Sequence, residues 1–231
     1  MITLRPEKER GHADHGWLKS AHTFSFADYH DPRHMGFRSL RVINEDRVAP
    51  GAGFGMHPHR DMEIISLVLE GSLAHKDNLG GGAVLRPYEI QHMSAGSGIR
   101  HQEFNPDPEL PVHFLQIWIE PSKTNLPPCY QQKKIPLEAG SRTYLLAGPP
   151  GLHALVNINQ DALLYLTHLQ KNESHIHPLT QSRAAWVQVL RGNLLLNGMA
   201  LGEGDGSSVS HEHEFTLTAT TNAEALVFDL A

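Results

Sequence analysis

Every strongly apolar stretch of this chain is short, rich in Val, Ile and Leu, and closed within a few residues by Gly, Pro, Asn or Asp. SLRVIN (39–44), EIISLVLEG (63–71), VHFLQIWIE (112–120), LLYLTHLQ (163–170), WVQVLRG (186–192), FTLTAT (215–220) and ALVFDL (225–230) have the length of strands rather than helices. FTLTAT alternates strictly, with Phe215, Leu217 and Ala219 on one face and threonines on the other. VHFLQIWIE is apolar on both faces, as a strand inside a sandwich is. Many short strands under Gly/Pro punctuation, in 231 residues, predict an all-β sandwich or barrel.

Composition narrows the function classes. The net charge is −6, and the longest basic run is Lys133-Lys134, so direct nucleic-acid binding is not expected. No apolar run approaches 18 residues, and the opening MITLRPEKERGHADHGW lacks the apolar stretch of a signal peptide. The single cysteine, Cys129, excludes an intrachain disulfide framework and fits a reducing cytoplasm. Cys129 lies in a Pro-rich connector with nothing in the sequence to lower its pKa. The 17 histidines direct attention to metal and proton chemistry.

Pro121, Pro127, Pro128, Pro136, Pro149 and Pro150 mark a boundary between residues 121 and 151. VLEGSL (68–73) and VLRGNL (189–194) echo each other across it. A duplicated β-domain is expected, residues 1–125 carrying the chemistry and 126–231 without metal.

That chemistry centres on GAGFGMHPHRDME (51–63) and GSGIRHQEFN (96–105). His57 and His59 are two apart, so on a strand they share a face, roughly 6.5 Å apart along it. His101 and Glu103 repeat the spacing. Two such pairs on neighbouring strands would direct four N/O donors into one cavity. Glu63 is a rival carboxylate, placed by parity on the same face. A blander reading makes the histidines partly buried hydrogen-bonding groups.

GxxxxxHxHxxxE and GxxHxxxN, present as Gly51…His57-Pro58-His59…Glu63 and Gly98…His101…Asn105, resemble the two cupin motifs. HTFSFADYHDP (22–32), SLRVIN (39–44), HPHRDMEI (57–64) and MSAGSGIRHQEFN (93–105) make the chain similar to the pirin family within the cupins. The resemblance implies two tandem cupin (double-stranded β-helix, jelly-roll) domains. It also implies a metal held by His57, His59, His101 and Glu103, preferring Glu103 over Glu63. The second motif departs from the general cupin pattern, with Gly96 where proline is common and Ile90 where glycine is common.

The second half offers lookalikes. In His175-Ile176-His177, aligning Gly71 with Gly192 reverses the strand parity relative to His57 and His59 unless a bulge restores it, and matching Glu89 to Asp205 puts Leu217 where His101 sits. His211 and His213 fall out of register. His75-Lys76-Asp77 runs into the turn NLGGG and reads as hairpin surface.

Three imidazoles and a carboxylate leave coordination positions open, which is a catalytic arrangement. The donor set suits Fe(II), Mn(II), Co(II), Ni(II), Cu(II) or Zn(II), and the resemblance favours iron. It further implies a flavonol dioxygenase splitting quercetin with O2 and releasing CO; the residues themselves permit Glu103 to serve as the base that takes the flavonol proton. The alternative is a metal- and redox-sensing regulator that docks a protein partner, for which Arg33, Arg38, Arg41 and Arg60 are the charged candidates. Trp17, Phe24 and Phe26 either line the mouth of the cavity or close the bottom of the barrel.

Overall fold

The computed structural model describes all residues, 1–231. It contains twenty strands and one 3-10 turn, Glu7–Glu9, and all seven apolar runs form strands. No helix is long and apolar enough to cross a membrane.

The chain divides into two compact units. One comprises Gly11–Ile135 with Leu155–Gln160, the other Met1–Arg10, Pro136–Ala154 and Asp161–Ala231. This differs from a cut at residue 125 in three places, each for a local reason. Ile2–Arg5 pairs with Gly206–Val209, and the backbone N–H of Glu7 donates to Asp205 (2.7 Å), so the first ten residues belong with the C-terminal unit. The Pro-rich stretch is not a plain connector: Cys129–Lys134 is a strand paired with residues 89–94. Leu155–Gln160 belongs with the first unit through Asn157 and Asn159, described below.

In the first unit the strands Gly53–Glu70 and Glu89–Phe104, 18 and 16 residues long, run antiparallel from Gly53↔Phe104 to Leu67↔Ile90. Strands of that length must bend, and here the register shifts between Phe54 and His57 and again between His59 and Asp61. Val112–Ile119, Leu40–Val48, Leu18–His22 and Gly11–Asp14 follow in order beyond Gly53–Glu70. On the other edge of Glu89–Phe104, Leu73–Asp77 takes the end at 101–104.

The bend at Asp61 decides which side chains face inward. Asp61 has φ +64 and its partner Gly96 φ +46. Before the bend the inward residues are His57 and His59. After it they are Met62 and Ile64, packed with Ile99, and Ser66, bonded to Glu103. The inward parity changes from odd to even, so Glu63 lies on the opposite face, contrary to its parity in the sequence.

There Glu63 is fully buried and accepts from His92 Nε2 (2.7 Å), Ser94 Oγ (2.7 Å), Asn159 N (3.2 Å) and Asn159 Nδ2 (3.1 Å). Gln131 and Asn157 exchange backbone–side-chain bonds beside it (3.0 and 3.1 Å). Burial pushes the Glu63 carboxyl up, but the hydrogen bond and charge of His92 and the bonds from Asn159 and Ser94 outweigh it and hold the group below the usual carboxylate range.

The C-terminal unit has a sheet ordered Ile2–Arg5, Gly206–Val209, Ala184–Arg191, Ala223–Leu230, Ala162–Leu169, Arg142–Gly148, and a second ordered Ser174–Pro178, Glu214–Ala219, Leu194–Leu196, Met199–Leu201. Phe215, Leu217 and Ala219 enter its core with Val187, Val189 and Val227, as their alternation predicts.

Two predictions follow from the bend and its outer face. A Cβ on Gly96 would lie 2.0 Å from the Leu126 carbonyl oxygen, so Gly96→Ala should cost about 2 kcal/mol or more in urea unfolding, from backbone clash and left-handed strain together. Because the folded pKa of Glu63 is depressed, its contribution is fully present above the ordinary value of 4.5 and lost as pH falls through the lower folded value. Glu63→Gln should therefore be less stable at pH 7, with a shallower loss of unfolding free energy on acidification below 4.5 than the parent chain shows.

Candidate metal centre

The paired strands place His57 directly opposite His101. The rings of His57, His59 and His101 stand 4.5 to 4.8 Å apart between centroids, and their ligand-capable atoms lie within 4.8 Å of one another. His57 Nδ1 donates to the Gly55 carbonyl (2.7 Å), which leaves its Nε2 lone pair for the cluster. His101 is fully buried, and its Nε2 has no hydrogen-bond partner.

His59 and His101 are held in the neutral form. Burial, then the charge of His57, pushes the pKa of His59 down to about 4. Burial, then His57, His59 and His75, pushes His101 to about 2. Neutral imidazole is the ligating state.

Glu103 is also fully buried. Burial and the charge of Asp46 push its carboxyl up to about 7, against hydrogen bonds from Ser66, Gln91 and Gln116. Gln116 Nε2 donates to Glu103 Oε2 (2.8 Å), and Trp118 Nε1 donates to Gln116 Oε1 (3.1 Å). The register explains this polar row. Val68↔Phe114, Ser66↔Gln116 and Ile64↔Trp118 are successive inward pairs. Val68 and Phe114 belong to one apolar cluster, Ile64 and Trp118 to another, and Ser66 and Gln116 between them reach Glu103.

Glu103 does not group with all three histidines in the same way. A carboxylate oxygen lies within 4.8 Å of ligand atoms of His101 and His75. The turn-rich sequence predicts hairpin surface for His75, but it is 2% exposed and Asp77 6%, because Leu73–Asp77 pairs inward against 101–104. Glu63, by contrast, is absent from the cluster and spends its oxygens on the outer face.

A cavity of about 280 Å³ opens beside His57 and His59, lined also by Phe26, Phe54, Gln116 and Trp118, with Ser20, His22, Asn44 and Asp46 as a polar wall. Of the three aromatics that could line the mouth or close the bottom of the barrel, Phe26 lines this cavity, Phe24 is buried in the core, and Trp17 packs edge-on against Phe54 (5.3 Å). Gln116, Trp118 and Phe54 were missed by sequence reasoning. The isolated glutamine inside the otherwise apolar VHFLQIWIE was the available signal for the first. Partial burial pushes the Cys129 thiol up, away from thiolate reactivity.

In the C-terminal unit His175 lies opposite Leu217 and His177 opposite Phe215. His177 packs at a tilt on Phe215 (5.0 Å) and bonds Asp229 (3.4 Å). Apolar side chains thus stand in the places that His101 and its neighbours take in the first unit.

The chain matches the Pirin family over residues 3–119 and the Quercetinase C-terminal cupin domain over residues 145–230. It is 44% identical over 230 residues to a quercetin 2,3-dioxygenase of Escherichia coli K12, covering 100% of this chain and 99% of that one. A pirin-like protein of Caulobacter vibrioides is 39% identical over 233 residues, with both chains covered in full. The crystal structure of the bacterial pirin YhhW from Escherichia coli in complex with nickel(II) superposes with a TM-score of 0.96 at 43% identity, covering 100% of this chain and 99% of that one. The all-β, tandem-cupin architecture expected from the motifs is therefore the architecture of the molecule, and the chain belongs to the pirin family.

Proposed function

We propose that this chain is a metal-dependent dioxygenase that opens a flavonol such as quercetin with O2 and releases CO, working in the cytoplasm. The observation that carries the reading is the partnerless, buried Nε2 of His101, set among the rings of His57 and His59 beside an aromatic-lined cavity. A buried polar atom without a partner is costly, and a divalent cation is the partner this donor set fits. His57, His59, His101 and Glu103 would hold it. Fe(II) is favoured by the family resemblance, and Ni(II) by the relative that carries it; Mn(II), Co(II), Cu(II) and Zn(II) also suit the donors. Such a cation supplies Lewis acidity and the means of engaging O2, which no side chain here offers.

The side chains account for the rest. The cavity is at the small end of ligand pockets, about 300 Å³, and suits a planar aromatic stacked near Phe26, Phe54 and Trp118. Ser20, His22, Asn44 and Asp46 offer hydrogen-bond partners to its hydroxyl groups. Glu103 takes the proton of the flavonol 3-hydroxyl at a carboxylate oxygen. Gln116, itself held by Trp118, fixes that carboxylate in place. The apolar walls keep water from the reacting ring.

The regulator reading calls on four arginines, and these are engaged by their own surroundings. Arg33 pairs with Asp31, Arg41 bonds the carbonyls of Ser25 and Met35, and Arg60 bonds the Ser97 carbonyl (3.1 Å).

Oxygen uptake with quercetin, on protein of measured metal content, tests the proposal. His101→Ala should lose both metal and turnover. Glu103→Gln should keep its metal affinity within about tenfold while turnover falls by about 10²-fold or more. Full activity in Glu103→Gln would remove Glu103 as the base, and bound metal with no uptake in the parent chain would favour the regulator.

A further inference from the structure

The face of His101 turned away from His57 and His59 is built as carefully as the face turned toward them. His101 Nδ1 lies 3.3 Å from His75 Nδ1. His75 Nε2 lies 3.2 Å from Asp77 Oδ2. Asp77 is anchored through its other oxygen by the backbone N–H groups of Leu79 (2.8 Å) and Gly81 (2.9 Å). The ring of Tyr130 covers His75 at 4.9 Å. All three side chains of this row are buried, and neither His75 nor Asp77 enters the chemistry proposed above.

Counting hydrogens along the row leaves one arrangement when the Nε2 lone pair of His101 binds a cation. A neutral imidazole carries one N–H. With Nε2 ligating, the hydrogen of His101 must sit on Nδ1 and is donated to His75 Nδ1. His75 then accepts at Nδ1, so its own hydrogen sits on Nε2 and is donated to the Asp77 carboxylate, which can only accept. Every nitrogen and oxygen in the row is satisfied in that state. The opposite tautomer of His101 would bury an Nε2–H with no acceptor, which is unfavourable.

We infer that His75 and Asp77 are positioning residues for the metal centre: an Asp77–His75–His101 hydrogen-bond relay that selects the Nδ1–H tautomer of His101, aims its Nε2 lone pair at the cation and raises its basicity. The inference rests on the metal-centre reading of His57, His59, His101 and Glu103 and extends it to two residues outside that set. Outer partners of this kind typically change metal affinity by 10- to 100-fold. The proximity of His75 to His101 and Glu103 admits a rival role, in which His75 is itself a ligand of a second ion, and the stoichiometry separates the two.

The test loads metal-free protein with Co(II), and in parallel Ni(II), and reads affinity by competition with a chelator, stoichiometry by metal analysis, and proton NMR of the Co(II) form. The parent chain should bind one equivalent and show a hyperfine-shifted His101 N–H protected from solvent exchange. His75→Phe, which removes the acceptor, should weaken binding by 10- to 100-fold and lose the protected resonance. His75→Asn, whose side-chain oxygen can occupy the place of Nδ1, should recover most of the affinity and guards against misfolding of the Phe variant. Asp77→Asn should weaken binding several-fold. Thermal melts of the metal-free proteins identify any variant whose loss is only structural. Equal affinity in the parent chain and His75→Phe would overturn the relay while leaving the metal centre intact. Two equivalents in the parent chain falling to one in His75→Phe would overturn it in favour of a second site. A parent chain that takes up no metal would overturn the metal-centre reading, and the relay with it.

Discussion

The antiparallel register of Gly53–Glu70 against Glu89–Phe104 is the constraint on which the rest of the first unit depends. It sets His57 opposite His101 and brings three rings to within 5 Å of one another, where separate segments of a chain would keep like groups apart. It also delivers Glu103 to the inner face, next to the residue pair Ser66↔Gln116. The local shifts of register near His57 and Asp61 are part of this constraint, because a one-residue slip exchanges inner and outer faces. Without the bend at Asp61 and Gly96, the inward run of Met62, Ile64 and Ser66 would not continue from His57 and His59.

The same geometry concentrates polar groups where their burial is costly and then satisfies nearly all of them. Glu63 has four donors on the outer face, Glu103 has a polar row on the inner one, and Asp77 and His75 back His101. Buried networks of this kind hold their members in single orientations when complete. The conspicuous omission is the Nε2 of His101. Its place against the rings of His57 and His59 separates it from the Nε2 of His175 in the C-terminal unit, which is also buried without a partner but lies on a strand opposite Leu217.

The C-terminal unit shows how little sequence change separates a site from a core. Its His175-Ile176-His177 segment pairs with Glu214–Ala219 as the His57–His59 segment pairs with Glu89–Phe104. The residues opposite are Leu217 and Phe215, and both are buried in the hydrophobic core. An apolar side chain in that place adds packing and removes a ligand, so His177 turns to Asp229 and Phe215 while the Nε2 of His175 is left without a partner.

The sequence alone determined the class of fold, because strand length and alternation are local properties of the chain. It also set His57 with His59, and His101 with Glu103, on shared strand faces, because period two fixes the face of each, and the paired strands bring the three histidines together. The tertiary structure decided what depends on partners distant in sequence. It put Met1–Arg10 with the C-terminal unit through a strand pairing that no local pattern announces, and it made a strand of Cys129–Lys134 despite the flanking prolines. It turned Glu63 outward through a bend at a residue with positive φ, which parity reasoning on a straight strand cannot include. It buried His75 and Asp77 behind His101, although their turn-rich flank reads as surface, because burial is set by the strand that pairs alongside and not by the composition of the segment itself.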